Sequence, residues 1–210
     1  MAENSTEIGN DMANKIRKIV LTGAAGSGKS TSMVYVKDQA DWIEFVPEVA
    51  TILLSGGFPT PDDRHSWNIE WQKSFQVAVA HTQIALEKIA EARAKAGGKR
   101  VILFDRGLLD GASFLAGGVG DLVRITKLSE QAMLDRYDTV IHLSSLALND
   151  NEFNTSNPHR VEDLGRAKHL EDKTLAAWEN HPNRHIVTDS SRHRGEIVLE
   201  IIKAELDKAS

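Results

Sequence analysis

Eight consecutive residues, Gly23-Ala24-Ala25-Gly26-Ser27-Gly28-Lys29-Ser30, satisfy every position of the pattern G-x-x-x-x-G-K-[ST] and restrict this chain more than any other stretch. Glycines let the backbone turn tightly enough for successive N–H groups to face a phosphate chain, and a following helix directs the positive end of its dipole at the same point. In such a loop the lysine, here Lys29, reaches the outer phosphates, and the Ser30 hydroxyl is placed as a Mg²⁺ ligand. The pattern requires a strand before it and a helix after it. Residues 18–22 (KIVLT) form a short β-branched apolar run and residues 30–38 suit a helix, so both flanks are present. The expected phosphate contacts are Gly23, Ala24, Ala25, Gly26, Ser27, Gly28, Lys29, Ser30 and Thr31.

A chain of 210 residues can bury about 70% of its unfolded surface in one core. Residues 15–210 are therefore read as one domain, behind a polar leader of residues 1–14 that is expected to be flexible. The formal charge of −5 argues against an extended nucleic-acid surface. Without cysteine the fold uses neither a disulfide nor a thiolate metal site. No run approaches the roughly 18 apolar residues of a membrane span, and a cytoplasmic location is expected. Oligomeric state is not legible.

Further along, residues 42–46 read as a second strand, stopped by Pro47 with its fixed φ and missing N–H. Residues 56–61 are a loop by their breakers. Trp67, Trp71, Phe75, Ala78, Thr82, Ala85 and Ile89 recur at spacings of three and four, which draws the core stripe of a long helix ending at Gly97 and Gly98. Trp67 and Trp71 have a second use as a stacking wall for a ring, whereas His81 has no metal-ligand spacing around it. Residues 100–105 are an apolar run closed by an acid, as in a strand buried on both faces. Residues 107–114 are expected to be helical and 117–120 a turn, with a short helical region as far as Arg136. Residues 137–143 and 184–189 supply the fourth and fifth strands. The polar connection between them is a candidate lid over residues 147–168. It leads into a helix with Val161, Leu164, Leu175 and Trp178 inward. Ser190 or Ser191 is expected to cap a final helix whose Val198, Ile202 and Leu206 face the core.

Ligands of open parallel sheets collect beyond the carboxyl ends of the strands. Glu48 follows the second strand and Asp105 closes the third, which makes both candidate catalytic acids. Asp105 is placed to hold Mg²⁺ through water or to accept a proton from an attacking hydroxyl. The plainer uses are a helix-dipole partner for Glu48 and a surface ion pair for Asp105 with Arg106. Arg160 and Arg166 flank the start of the helix after the lid, where they could meet the charge that spreads over a transferring phosphoryl group. The plainer use of Arg166 is an i, i+4 pair with Glu162.

Four segments together resemble the NadR-like AAA-domain group of P-loop ATPases, relatives of the nucleoside and nucleotide kinases. They are residues 23–31, the Pro47-Glu48 segment at 46–50, the Asp105-Arg106-Gly107 segment at 104–111, and 157–160 running into Trp178 and His181-Pro182. The resemblance implies an α/β three-layer sandwich of the P-loop NTPase kind, with a parallel five-stranded sheet of order 2-3-1-4-5 and helices on both faces. It also implies Mg²⁺ with ATP or GTP, and an acceptor site between Glu48 and Arg106. Asp105-Arg106-Gly107 looks like the motif whose arginine grips an acceptor in nucleotide and nucleoside kinases. Motor ATPases of the superfamily usually place a second acid where Arg106 stands. No Asn-Lys-x-Asp guanine-reading motif follows, which favours ATP. The loop at 188–192 corresponds to the segment that holds the nucleotide base in related proteins.

The leading function is therefore transfer of the γ-phosphate of Mg·ATP to an unidentified small-molecule acceptor of nucleoside or nucleotide type. In that reading Lys29, Ser30, Asp105, Arg106, Glu48, Arg160 and Arg166 carry the chemistry. The alternative is a regulatory switch that binds ATP or GTP and presents a surface to a protein or phosphoinositide. A hexameric motor is the weakest reading, because it lacks the second acid and the room for a helical subdomain.

Overall fold

The computed structural model describes residues 15–61, 68–145 and 164–208. Five strands, β1 (Arg17–Thr22), β2 (Ile43–Val46), β3 (Val101–Asp105), β4 (Thr139–Leu143) and β5 (Arg184–Val187), form one sheet in the order β2-β3-β1-β4-β5. Every pairing is parallel. Parallel neighbours cannot be joined by a hairpin, so the connections cross the faces of the sheet and carry the helices. These are α1 (Lys29–Gln39), α2 (Val49–Ser55), α3 (Ile69–Ala96), α4 (Gly118–Thr126), α5 (Glu130–Leu134), α6 (Leu164–Ala177) and α7 (Arg194–Asp207), with a 3₁₀ helix at Leu108–Phe114. The order and the parallel sense are those expected from the sequence.

The strand alternation of period two divides the core. Ile19, Leu21, Leu103, Ile141 and Leu143 pack with Val36 of α1 and with Val198, Ile202 and Leu206 of α7. Val20, Ile102, Phe104 and Val140 pack on the other face with Leu109, Leu122 and Trp178. The register sets Leu21 opposite Asp105 and Thr22 opposite His142. Val46 lies opposite Phe104. The carboxyl ends of the three central strands and of β2 therefore finish at one level.

Several local expectations need correction. The segment from Leu108 is a 3₁₀ helix. Residues 117–120 do not make a separate turn: α4 begins at Gly118, and the Asp121 carboxylate accepts the Gly117 N–H at 2.8 Å. On α3 the expected stripe has the wrong phase beyond Phe75. Ile89 is 55% exposed, while Gln76, Ala80, Gln83, Glu87, Ala90 and Ala94 are the buried positions. Polar residues can occupy that face because Glu87 has partners there: its carboxylate accepts the Tyr137 hydroxyl at 2.6 Å and Arg136 Nε at 2.7 Å. Trp71 stacks on Phe75 at 4.8 Å and donates from its indole N–H to the Pro59 carbonyl, so it serves packing. Trp67 lies outside the described residues. His81 is exposed. The final helix starts at Arg194 behind His193, without a serine cap; Ser191 instead donates to the Asp189 carboxylate. β5 stops at Val187 for the same reason, since Asp189 closes a turn there.

Residues 1–14, the lid residues 147–163 and Arg160 also fall outside the described residues, as do Val161 and Glu162. Arg166 stands on α6, and its side chain is not described. Among the described residues no helix is long and apolar enough to cross a membrane.

Candidate functional site

The loop between β1 and α1 begins with Gly23, whose φ of 137° is open to glycine alone; a Cβ there would lie 2.2 Å from the Leu143 carbonyl oxygen. This lets the loop press against the end of β4. Gly26 and Gly28 also have positive φ and complete the turn. Lys29 is buried, and its ammonium donates to the Gly23 and Ala24 carbonyls at 2.7 and 2.8 Å and to Ser27 Oγ at 3.2 Å. Burial, reinforced by the charge of Arg106, pushes its pKa down to about 7 against the pull of Asp105, Asp110 and Glu48. Ser30 and Thr31 are exposed in the first turn of α1.

Asp105 ends β3 beside Leu21. Its Oδ1 is buried and has no hydrogen-bond partner. Burial raises its pKa, and Glu48 and Asp110 add to the rise while Lys29 and Arg106 oppose it. The unpartnered Oδ1 of Asp105 and the Ser30 hydroxyl at the start of α1 are both oxygen donors, the kind that suits a hard divalent cation such as Mg²⁺. Ser30 and Asp105 are thus the residues that would hold one.

Arg106 follows directly with φ 72°, a left-handed conformation that costs a non-glycine residue about 1–2 kcal/mol. Its surroundings fix that conformation. The backbone N–H donates to the Leu21 carbonyl at 3.0 Å. Nε meets Glu48 Oε1 at 2.6 Å, and Nη1 reaches Asp110 Oδ1 at 3.1 Å and the Gly23 carbonyl at 3.2 Å. Burial would weaken the guanidinium charge, but Asp110 and Glu48 outweigh it and raise the pKa. In the same way Glu48 is held below the usual carboxylate range: burial pushes it up, and Arg106 together with the Thr51 hydroxyl at 2.6 Å more than offsets this. An acceptor site was expected between Glu48 and Arg106; in the structure the two side chains bond each other directly.

Asp110 was not singled out by the sequence reading, although its i, i+4 spacing from Arg106 was a usable signal. It is 2% exposed. Its Oδ1 accepts the Thr22 hydroxyl at 2.5 Å as well as Arg106, and its Oδ2 accepts the Gly107 N–H at 2.9 Å and the Trp178 indole N–H at 3.2 Å. Two other residues were missed and carried no local signal. Glu171 of α6 accepts the Ala24 N–H at 3.3 Å and pairs with buried His142 at 2.9 Å. Arg194 donates to the Ser27 carbonyl at 2.9 Å and to the Ser144 carbonyl.

Beside the Glu48–Arg106 pair opens a cavity of about 270 Å³ between α2, α3 and the 3₁₀ helix. Val49, Leu54, Phe75, Val79 and Phe114 give it apolar walls, and Gln72, Gln76 and Asp110 add polar groups. Arg106 and Gly107, which follow the carboxyl end of β3, line it on that side.

A parallel sheet of this order, with the strand–loop–helix geometry at Gly23–Lys29, defines a P-loop nucleotide-binding protein. The chain belongs to the AAA domain family, whose model matches residues 18–194. A search of curated proteins found no match to this chain.

Proposed function

We propose that this protein transfers the γ-phosphate of Mg·ATP to the hydroxyl of a small-molecule acceptor bound in the Glu48–Arg106 cavity. The observation that carries the reading is the apolar-walled cavity lined by Glu48 and Arg106, the latter following directly on Asp105, whose buried Oδ1 has no partner. A nucleotide switch needs only an ordered loop, whereas a transferase needs a sheltered acceptor site with a base in reach. In this reading Lys29 and the loop N–H groups hold the phosphates. Mg²⁺ would be held by Ser30 directly and by Asp105 through water, which leaves that carboxylate able to take a proton, and the ion would offset charge on the transferring group.

Two acids compete for the acceptor proton, and their surroundings separate them. Glu48 is committed to Arg106 and Thr51 and kept ionised, so it is a weak proton acceptor and orients the arginine. Asp105 has a free oxygen and a raised pKa, which suits a general base. The acceptor oxygen then bonds to Pγ as the bond from Pγ to the β–γ bridging oxygen breaks. The proton passes to Asp105, and ADP leaves. The test is ATP-dependent phosphorylation of nucleosides, nucleotides and vitamins, read by product mass. Asp105→Asn is expected to lower kcat by about 10²–10⁴-fold with ATP affinity largely kept, and Glu48→Gln to raise the acceptor KM. Hydrolysis of ATP with no phosphorylated product from any compound would overturn the proposal.

A further inference from the structure

Glu171 of α6 is buried, and its two carboxylate oxygens serve different parts of the fold. Oε1 meets Nε2 of the His142 ring at 2.9 Å and accepts the Ser145 N–H at 3.3 Å, both at or just beyond the end of β4. An ionised carboxylate only accepts, so His142 donates from Nε2. Oε2 accepts the Ala24 N–H of the phosphate loop at 3.3 Å. A carboxylate buried for His142 alone would need one oxygen, and apolar packing of similar volume often serves a core as well as a buried charged pair. The second oxygen therefore has its use at the loop.

The Ala24 N–H and the Gly23 carbonyl belong to one planar peptide and point in opposite directions. On the carbonyl side Lys29 Nζ donates at 2.7 Å and Arg106 Nη1 at 3.2 Å. One anion and two cations thus hold this peptide along its own dipole. The hold matters because Gly23 sits at φ 137°, and the backbone of a glycine turns more freely than that of any other residue. Turning the peptide over would take the carbonyl away from both Lys29 and Arg106. Glu171 can resist this because its helix is itself anchored: Thr174, Ala177 and Trp178 are buried, and Lys173 donates to the Leu115 carbonyl at 2.9 Å.

We propose that Glu171 is a positioning residue of the nucleotide site: Oε2 fixes the Gly23–Ala24 peptide, and the carbonyl of that peptide sets where Lys29 and Arg106 stand. Glu171 acts on the nucleotide through these two cations. The inference rests on nucleotide binding by the P-loop alone, so it fails or stands separately from the phosphotransfer proposal.

Glu171→Gln tests it, because glutamine keeps one acceptor oxygen. Facing β4, that oxygen retains two bonds, from His142 and Ser145; facing the loop, it retains one. The first orientation is favoured and sets the new NH₂ against the Ala24 N–H. Calorimetric titration of the full chain with Mg·ATP and Mg·ADP is expected to give dissociation constants about tenfold or more above those of the parent, the scale of one lost charge-assisted hydrogen bond. Far-ultraviolet circular dichroism is expected to stay unchanged. Thr174→Val, at i+3 on the same helix, removes a buried hydroxyl that donates to the Leu170 carbonyl, and it should leave both affinities as in the parent whatever its effect on Tm. Hydrogen exchange of the Ala24 amide, followed by nuclear magnetic resonance in the ligand-free parent, needs no variant and is expected to be slow. A folded Glu171→Gln with parental affinities, an equal loss of affinity in Thr174→Val, or rapid exchange at the Ala24 amide would each overturn the inference.

Discussion

Asp110→Asn isolates the device that fixes Arg106. The carboxylate accepts four bonds, two at each oxygen: Thr22 and Arg106 at Oδ1, Gly107 and Trp178 at Oδ2. Asparagine keeps one oxygen. If it faces Gly107 and Trp178, the new NH₂ faces the Thr22 hydroxyl, which can rotate to accept, and the Arg106 guanidinium, which cannot. The lost charge-assisted bond is worth about 1.5–3 kcal/mol, and the donor-to-donor contact adds about 1. The opposite orientation is worse, since neither the Gly107 N–H nor the Trp178 N–H can reverse. The expected loss is therefore about 2–4 kcal/mol, or roughly 5–15 °C in Tm for a domain of this size. Urea unfolding followed by tryptophan fluorescence and far-ultraviolet circular dichroism reads it as a lower midpoint with unchanged m. Thr22→Val, which removes a single neutral bond, should cost only about 1 kcal/mol. If Asp110→Asn stays within about 0.5 kcal/mol of the parent protein, Asp110 does not hold the arginine as argued.

Lys29→Ala should remove most Mg·ATP affinity by calorimetry while the protein stays folded. The ligand-free lysine carries a pH signature, because its folded pKa of about 7 lies below the ordinary 10.5. Between those values the unfolded chain binds more protons, so this residue's contribution to stability rises with pH. Lys29→Met should flatten that rise and be the more stable protein near pH 7, and parallel curves for the two would refute the burial argument. At the far end of the sheet, Glu205 is held down to about 2 from 4.5: burial opposes the shift, and bonds from Lys208, Asn183 and His185 outweigh it. Its folded pKa is depressed, so its stabilisation is complete above pH 4.5 and is lost as the pH falls towards 2. Thermal melts of Glu205→Gln should show a smaller acid-induced drop in that window.

The sheet was legible because its central strands are continuous apolar runs, and a run such as residues 101–104 has no other way to be buried. Legibility failed where polar residues enter the core. Gln83 and Glu87 broke the apparent periodicity of α3; Gln83 donates to Glu87, and the burial of Glu87 depends on Arg136 and Tyr137, some fifty residues away. The same division holds at the site. The phosphate loop is a local pattern, readable residue by residue, and Glu48 and Arg106 could be placed because both follow strands. Glu171 and Arg194 act across 147 and 167 positions of chain, where nothing local marks a residue for its partner, and the i, i+4 spacing of Asp110 from Arg106 gives no sign of its bond to Thr22 88 positions away.

These distant partners show how the loop keeps its shape. Arg106 takes the Gly23 carbonyl, Glu171 the Ala24 N–H, and Arg194 the Ser27 carbonyl. The three arise from the turn after β3, from α6 and from the start of α7, so the loop is braced from three sides of the fold. A phosphate cradle stabilises charge best when its dipoles need no rearrangement, and this bracing supplies that condition. Arg106 also lines the cavity beside Glu48. The left-handed backbone at that residue turns one guanidinium towards both halves of the site, so a change at Glu48 reaches Gly23 through two hydrogen bonds. The strain of about 1–2 kcal/mol at Arg106 is therefore the cost of joining the phosphate loop and the cavity at a single side chain.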